Sequence, residues 1–487
     1  MPGSVNLSLL FANTRQSLDS TIFGGSSTLL CKQNVVHAFQ ACTIGGNSAI
    51  NAGLYFQPPQ SDWDTYFPEG WQSVDVEPAI QRLLMQQPAA TADAYNADAV
   101  HETFRQWIVG SSGYAEINIA ERPSEKDGVF GRPVYNYING QRGGPVRTYL
   151  QSALRRPNFR LVTDSRVKYI ERSNQTASAV AVDRGHGKTK TYKLRKNGKV
   201  VLSAGALQSP QILMYSGIGP HEILTSLAAT EHTPYVNASS WIVQPSVGDG
   251  LFDNPNTFIE LSSPNFTAYN YSYDDPIAKD SEDYLAHRKG PYSFAGETSV
   301  FWSYVQNTNG APSGMQGTVS TSGYSQFSKS NTVTLNIYGT SGLLSSGRVI
   351  LSDDGNYTAG PSADVYYSNP QDATAIASFI HSIFQHLPPS SPSSPSADGL
   401  TPLNIAQNAT LDEITSYITK PSEYARGSVN HWSSSCRIGK CVDINAKVVG
   451  TENIFVVDAS ILSPMTVNPQ FAVMVAAELG AERISVS

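Results

Sequence analysis

Gly45-Gly46-Asn47-Ser48-Ala49-Ile50-Asn51 joins two glycines to a run of small polar side chains. Glycine lets backbone approach a ligand closely, and Asn and Ser can hydrogen-bond that ligand or cap a helix. Taken alone, the segment reads as a capped turn. A second segment, Gly205-Ala206-Leu207-Gln208-Ser209-Pro210, follows the strand-like Val200-Val201-Leu202-Ser203. It predicts a tight turn into a short helix with Ser209 as N-cap, Pro210 at N1 and Gly217 as the stop. Near the C-terminus, Ile454–Asp458 reads as a buried parallel strand ending in a carboxylate, and Asn468-Pro469 opens a helix running to about Ile484. A helix N-terminus carries partial positive charge and suits a group that becomes anionic. Upstream stands Asn430-His431-Trp432. By themselves His431 reads as a buried, hydrogen-bonded histidine and Asn468 as a helix cap.

Metal chemistry finds no such pattern. His381 and His386 are five apart and off one another's helix face. The cysteines form two close pairs, Cys31 with Cys42 and Cys436 with Cys441, lacking the C-x2-C spacing and histidines of structural zinc sites. Two local disulfides in an oxidising compartment fit this spacing, and so do free thiols.

These segments need a scaffold, and 487 residues with 40% hydrophobic content are enough for two domains. Asn158 to Ser203 alternates short strands (FRLV, RVKYI, AVAV, YKLR, KVVLS) with polar turns, which predicts a β-meander leading into a buried strand. Alternation between Thr318 and Leu351 predicts an antiparallel sheet that could wall a pocket. Ala373–His386 predicts a helix with Ile376, Phe379, Ile380 and Ile383 on one face, and Pro388–Pro395 a loop. With 33 Lys+Arg against 40 Asp+Glu the net charge is −7, which offers no broad field to nucleic acid. The longest apolar runs, such as Phe471–Ala477, fall short of the roughly 20 residues of a membrane helix.

Several strings together resemble one family. The run from Gly205 to Pro220 matches a signature of the glucose–methanol–choline (GMC) oxidoreductases. Asn430–Ser435, Lys447–Ile461, Val467–Gln470 and Ala476–Ile484 look like the end of the flavin domain in that family's cellobiose dehydrogenase branch, the nearest resemblance. Asp127–Gly131, Asn139–Gln151 and Arg156–Phe159 agree with the same branch, so the likeness runs from about Cys31 to the C-terminus.

The resemblance implies an α/β fold. An FAD-binding domain of parallel sheet and helices would comprise residues 1–85, 145–235 and 430–487, and an antiparallel-sheet substrate domain residues 86–144 and 236–429. His431 would be the general base that takes a hydroxyl proton while hydride passes to flavin N5, and Asn468 would hydrogen-bond the same hydroxyl. Gly46, Asn47, Ser48 and Asn51 would line the flavin or its pyrophosphate, and Val167 backbone would meet the adenine. Asp458 and Ala459 would approach the cofactor, with Pro469 and Gln470 near the isoalloxazine. The implied activity is FAD-dependent oxidation of a CH–OH group in an alcohol or sugar, with an external electron acceptor and no nucleic-acid or membrane partner.

Two departures qualify it. The family's opening strand–GxGxxG–helix unit is absent from the sequence, and Gly250 stands where the family expects Asn. The expectation is therefore an N-terminally truncated chain that holds FAD weakly, the alternative being an FAD-deficient, inactive remnant that only binds carbohydrate or a metabolite. The family, seven Asn-x-Ser/Thr sequons and the paired cysteines point to secretion, although no signal peptide is visible.

Overall fold

The computed structural model of the chain describes residues 30–33, 38–91, 98–184, 188–230, 233–272, 275–307, 310–352, 359–387 and 399–487. The expected Pro388–Pro395 loop and the sequons at Asn6 and Asn356 lie outside them. The architecture is mixed α/β, built around two main hydrophobic cores.

The first core takes in Tyr55, Trp63, Phe67 and Trp71, helix α1 (Ser73–Gln86) and the predicted meander. Strands β1 (Arg166–Ser173), β2 (Thr176–Asp183) and β3 (Thr189–Lys193) pair antiparallel, then β4 (Val200–Leu202) enters the interior. Phe159–Val162 was expected to be the meander's first strand, but it is irregular and exposed. It has no partner strand among the described residues.

Helix α2 (Gly205–Tyr215) corrects a second expectation, because it starts four residues before Ser209. Pro210 lies inside the helix and has no N–H for the Ala206 carbonyl one turn back. The Ser435 hydroxyl donates to that carbonyl instead, at 2.6 Å. Gly217, with φ of 69°, ends the unit as expected.

The second core lies under a large antiparallel sheet. Its central strands are β5 (Pro255–Ser262), β6 (Glu297–Gln306), β7 (Pro312–Ser320) and β8 (Thr332–Gly339), in the spatial order β5-β8-β7-β6. Directly opposed residues share a face and successive residues alternate. Phe301, Gly317 and Ile337 are opposed across β6, β7 and β8. Their face packs on helix α3 (Pro370–Gln385), where Ile376, Phe379, Ile380 and Ile383 are all buried as the periodicity predicted. One residue along, Trp302, Gln316, Tyr338 and Asn256 form a row on the other face, toward the site. Gly347–Leu351, expected to continue this sheet, belongs to a separate three-stranded one.

Strand β9 (Ile454–Val456) pairs parallel with β4, and helix α4 (Gln470–Val486) follows and packs on α1. Cys436 and Cys441 form a disulfide with Cα atoms 4.8 Å apart. Cys42 is also disulfide-bonded, while the side chain of Cys31 lies outside the described residues. Among the described residues no helix is long and apolar enough to cross a membrane.

Candidate active site

His431 follows a short strand, Ala425–Ser428, on a turn that places Asn430 at φ of 58°. Asp253 clamps this turn. Its carboxylate accepts the backbone N–H of His431 at 2.7 Å and of Asn430 at 3.2 Å, and the Tyr366 hydroxyl at 2.5 Å. Backbone bonds between Phe252 and Ser433 zip the two segments together.

The next residue, Asn254, sets the state of the imidazole. Its Nδ2 donates to the Gly339 carbonyl at 2.7 Å, which turns Oδ1 toward His431 Nδ1 at 2.9 Å. An amide oxygen only accepts, so neutral His431 carries its proton on Nδ1 and its lone pair on Nε2. That is the form a general base needs.

Asn468 sits at the entrance to α4. It was expected to be the helix N-cap, but the helix begins at Gln470 and Asn468 Oδ1 points instead into the polar row of the sheet. It accepts from Gln316 Nε2 at 2.8 Å and from the Tyr338 hydroxyl at 3.1 Å. No described residue bonds its Nδ2. The Tyr338 ring also stands edge-on to His431, centroids 6.1 Å apart, so one tyrosine touches both candidate catalytic side chains. Asn254, His431, Val467 and Pro469 line one cleft with ≈ 10 Å³ of free volume, about one water.

The glycine-rich segment meets the same helix end. Asn51 Nδ2 donates to Gln470 Oε1 at 2.6 Å, and Asn51 Oδ1 accepts from Arg142 at 2.7 Å. Gly46 has φ of 59° and open space where a Cβ would stand. Asn47 and Ser48 bond locally, Asn47 accepting from Ala41 N–H and Ser48 donating to the Gly45 carbonyl. Val167 lies in β1 opposite Val182. Asp458 is buried and caps α2 in trans, accepting Gly205 N–H at 2.9 Å and the Ser209 hydroxyl at 2.5 Å. The Ala459 carbonyl accepts Ser434 N–H at 3.1 Å, which ties that strand end to the His431 turn.

Beside the row lies a buried polar cluster. Asp62 accepts the N–H and hydroxyl of Thr466 at 2.6 and 2.8 Å. Burial pushes its carboxyl up to about 6, and the same effect lowers the buried Lys126 ammonium to about 8. Lys126 stands over the Trp302 ring at 5.1 Å.

Two amide donors stand next to Val467 and Pro469 of this cleft and suit a hydrogen-bond acceptor. Among the described residues Gln470 Nε2 is buried without a partner and none bonds Asn468 Nδ2, both at the N-terminus of a long helix. Sequence reasoning missed Asp253, Asn254, Trp302, Gln316 and Tyr338. Asp253-Asn254 stands three residues after the Gly248–Gly250 segment and was a readable polar pair. Gln316 within an otherwise small and apolar strand was a fainter signal.

Comparison with known proteins gives the same outline. The N-terminal profile of the GMC oxidoreductases matches residues 18–256 and the C-terminal profile residues 344–477. The chain is 26% identical to fatty acid photodecarboxylase of Chlamydomonas reinhardtii over 314 residues, 56% of this chain and 47% of that protein. It is 27% identical to Sinalpyl alcohol oxidase Nec3 of Nesocodon mauritianus over 459 residues, 88% of this chain and 73% of that one. The first of these matches thus spans about half the relative's length. Formate oxidase of Aspergillus oryzae shares the fold, with a TM-score of 0.70 at 17% identity, covering 92% of this chain and 84% of the oxidase. Two profiles of one family together account for most of the sequence, and the chain therefore belongs to the GMC oxidoreductase family.

Proposed function

We propose that the chain is an FAD-dependent oxidoreductase that converts a CH–OH group of an alcohol or sugar to a carbonyl and passes electrons to an external acceptor. The observation that carries this is the Asn254-oriented imidazole of His431, its basic nitrogen selected, in a cleft at the N-terminus of α4. Bound FAD supplies the two-electron acceptor for hydride. His431 Nε2 takes the hydroxyl proton as the carbinol carbon loses hydride, and the C–O bond becomes a carbonyl. Asn468 Nδ2 donates to the same oxygen and steadies the negative charge that grows there. Gln470 Nε2 and the end of α4 offer positive potential to the edge of a bound ring. Asn51 holds Gln470 in place from the glycine-rich segment.

Gly46, Asn47, Ser48, Val167, Asp458, Ala459 and Pro469 complete the proposed cofactor-binding set, in the domain division expected from the sequence. Asp458 serves it through the trans cap on α2. The cellobiose dehydrogenase branch remains the proposed position within the family, supported by the strings around His431 and Asn468. A visible spectrum tests the proposal: flavin bands that bleach anaerobically with an alcohol or sugar support it, and protein that stays colourless after incubation with FAD contradicts it.

A further inference from the structure

We infer that Trp302, acting through Gln316, sets which end of the Asn468 amide faces the reacting group, making Trp302, Gln316 and Tyr338 positioning residues. An Asn side chain has an accepting and a donating end of nearly equal shape, so its orientation must be imposed by neighbours of fixed polarity. An indole N–H can only donate. Trp302 Nε1 is fully buried and lies 2.9 Å from Gln316 Oε1, so the oxygen end of Gln316 must face it. The nitrogen end of Gln316 is thereby aimed the other way, at Asn468 Oδ1 and the Tyr338 hydroxyl. Tyr338 accepts from Gln316 and donates its own proton to Asn468 Oδ1. Two donors converge on one oxygen, and the amide leaves Nδ2 for anything standing before α4. Strand register supplies this geometry, since Trp302, Gln316 and Tyr338 are directly opposed across three strands.

The consequence is one of chemical class. The group at this position must be a hydrogen-bond acceptor at the moment of reaction, such as a hydroxyl oxygen losing its proton, and an ammonium or other donor-only head is disfavoured. This builds on the proposed role of Asn468, and the test separates the two. In full-length protein labelled with [15N]asparagine, the Asn468 side-chain amide resonance is identified by its loss in N468A. Gln316→Glu places an acceptor where a donor stood and should move that resonance; Trp302→Phe, which frees Gln316 to turn, should broaden or move it. Anaerobic flavin reduction should fall about 10- to 100-fold in either variant. Neither should slow the reaction further in an N468A background. A resonance unmoved in Q316E overturns the relay, as does an equal rate loss from the substitutions with and without Asn468. Should W302F fail to fold, Q316E and Tyr338→Phe, which removes the second donor, carry the same comparison. A resonance that moves while N468A reduces at the normal rate upholds the relay and removes Asn468 from catalysis.

Discussion

Asn254 Oδ1 lies 2.9 Å from His431 Nδ1, and the bond from Asn254 Nδ2 to the Gly339 carbonyl prevents the amide from presenting its other end. Asn254 thus sets the tautomer of His431, and Asp253 beside it sets the backbone. Adjacent residues therefore divide the work of orienting one base.

Asn254→Asp should replace that neutral acceptor with a carboxylate that stabilises the imidazolium and raises the His431 pKa. The free-base fraction at neutral pH then falls, so the acid limb of the rate profile for flavin reduction moves to higher pH. Asn254→Ala should lower the rate roughly 10- to 100-fold, as losses of an orienting partner do elsewhere. A pH profile unchanged in Asn254→Asp would mean that the Nδ1 contact has no part in the chemistry.

Ser435→Ala should leave the Ala206 carbonyl, already deprived of a helical N–H by Pro210, buried without a donor. Equilibrium denaturation should show a loss of about 1–3 kcal/mol. Restoring the helical donor by Pro210→Ala in the same chain should recover part of it. No recovery would show that water already serves that carbonyl.

Asp62 gives a pH signature in stability. Its folded-state pKa of about 6 lies above the ordinary carboxylate value because burial disfavours the charged form. The folded state therefore binds more protons than the unfolded state between about pH 4 and pH 6, and this group's contribution to stability declines as pH rises through that window. Asp62→Asn should remove the decline. Denaturation curves for both proteins across pH 4–7 check it, and parallel curves would show that the Thr466 bonds outweigh burial.

Much of this was legible in the sequence because it is local. Ile376, Phe379, Ile380 and Ile383 declare a helix face within eight residues, and the alternation in Thr332–Gly339 declares a strand. His431 and Asn468 came from strings resembling a family, not from spacing. The start of α2 was misplaced because Pro favours N1. The hydroxyl that makes an interior Pro210 tolerable belongs to Ser435, 229 residues from the Ala206 carbonyl it serves. The row that holds Asn468 was equally invisible, since Gln316 and Asn468 are 152 residues apart and meet only through sheet register. Asn468 looked like a cap because its chemistry suits one; tertiary donors engaged its oxygen instead.

Rapid-mixing reduction of flavin-loaded His431→Gln under anaerobic conditions tests the central claim most directly. The amide cannot accept a proton near neutral pH, so reduction by an alcohol or sugar substrate should slow by roughly two to four orders of magnitude. The oxidised-flavin spectrum should remain intact, because His431 is proposed to act on the substrate hydroxyl and not to hold the cofactor. A rate within a few-fold of the unsubstituted protein would contradict the account and return His431 to a structural residue of the Asp253 turn.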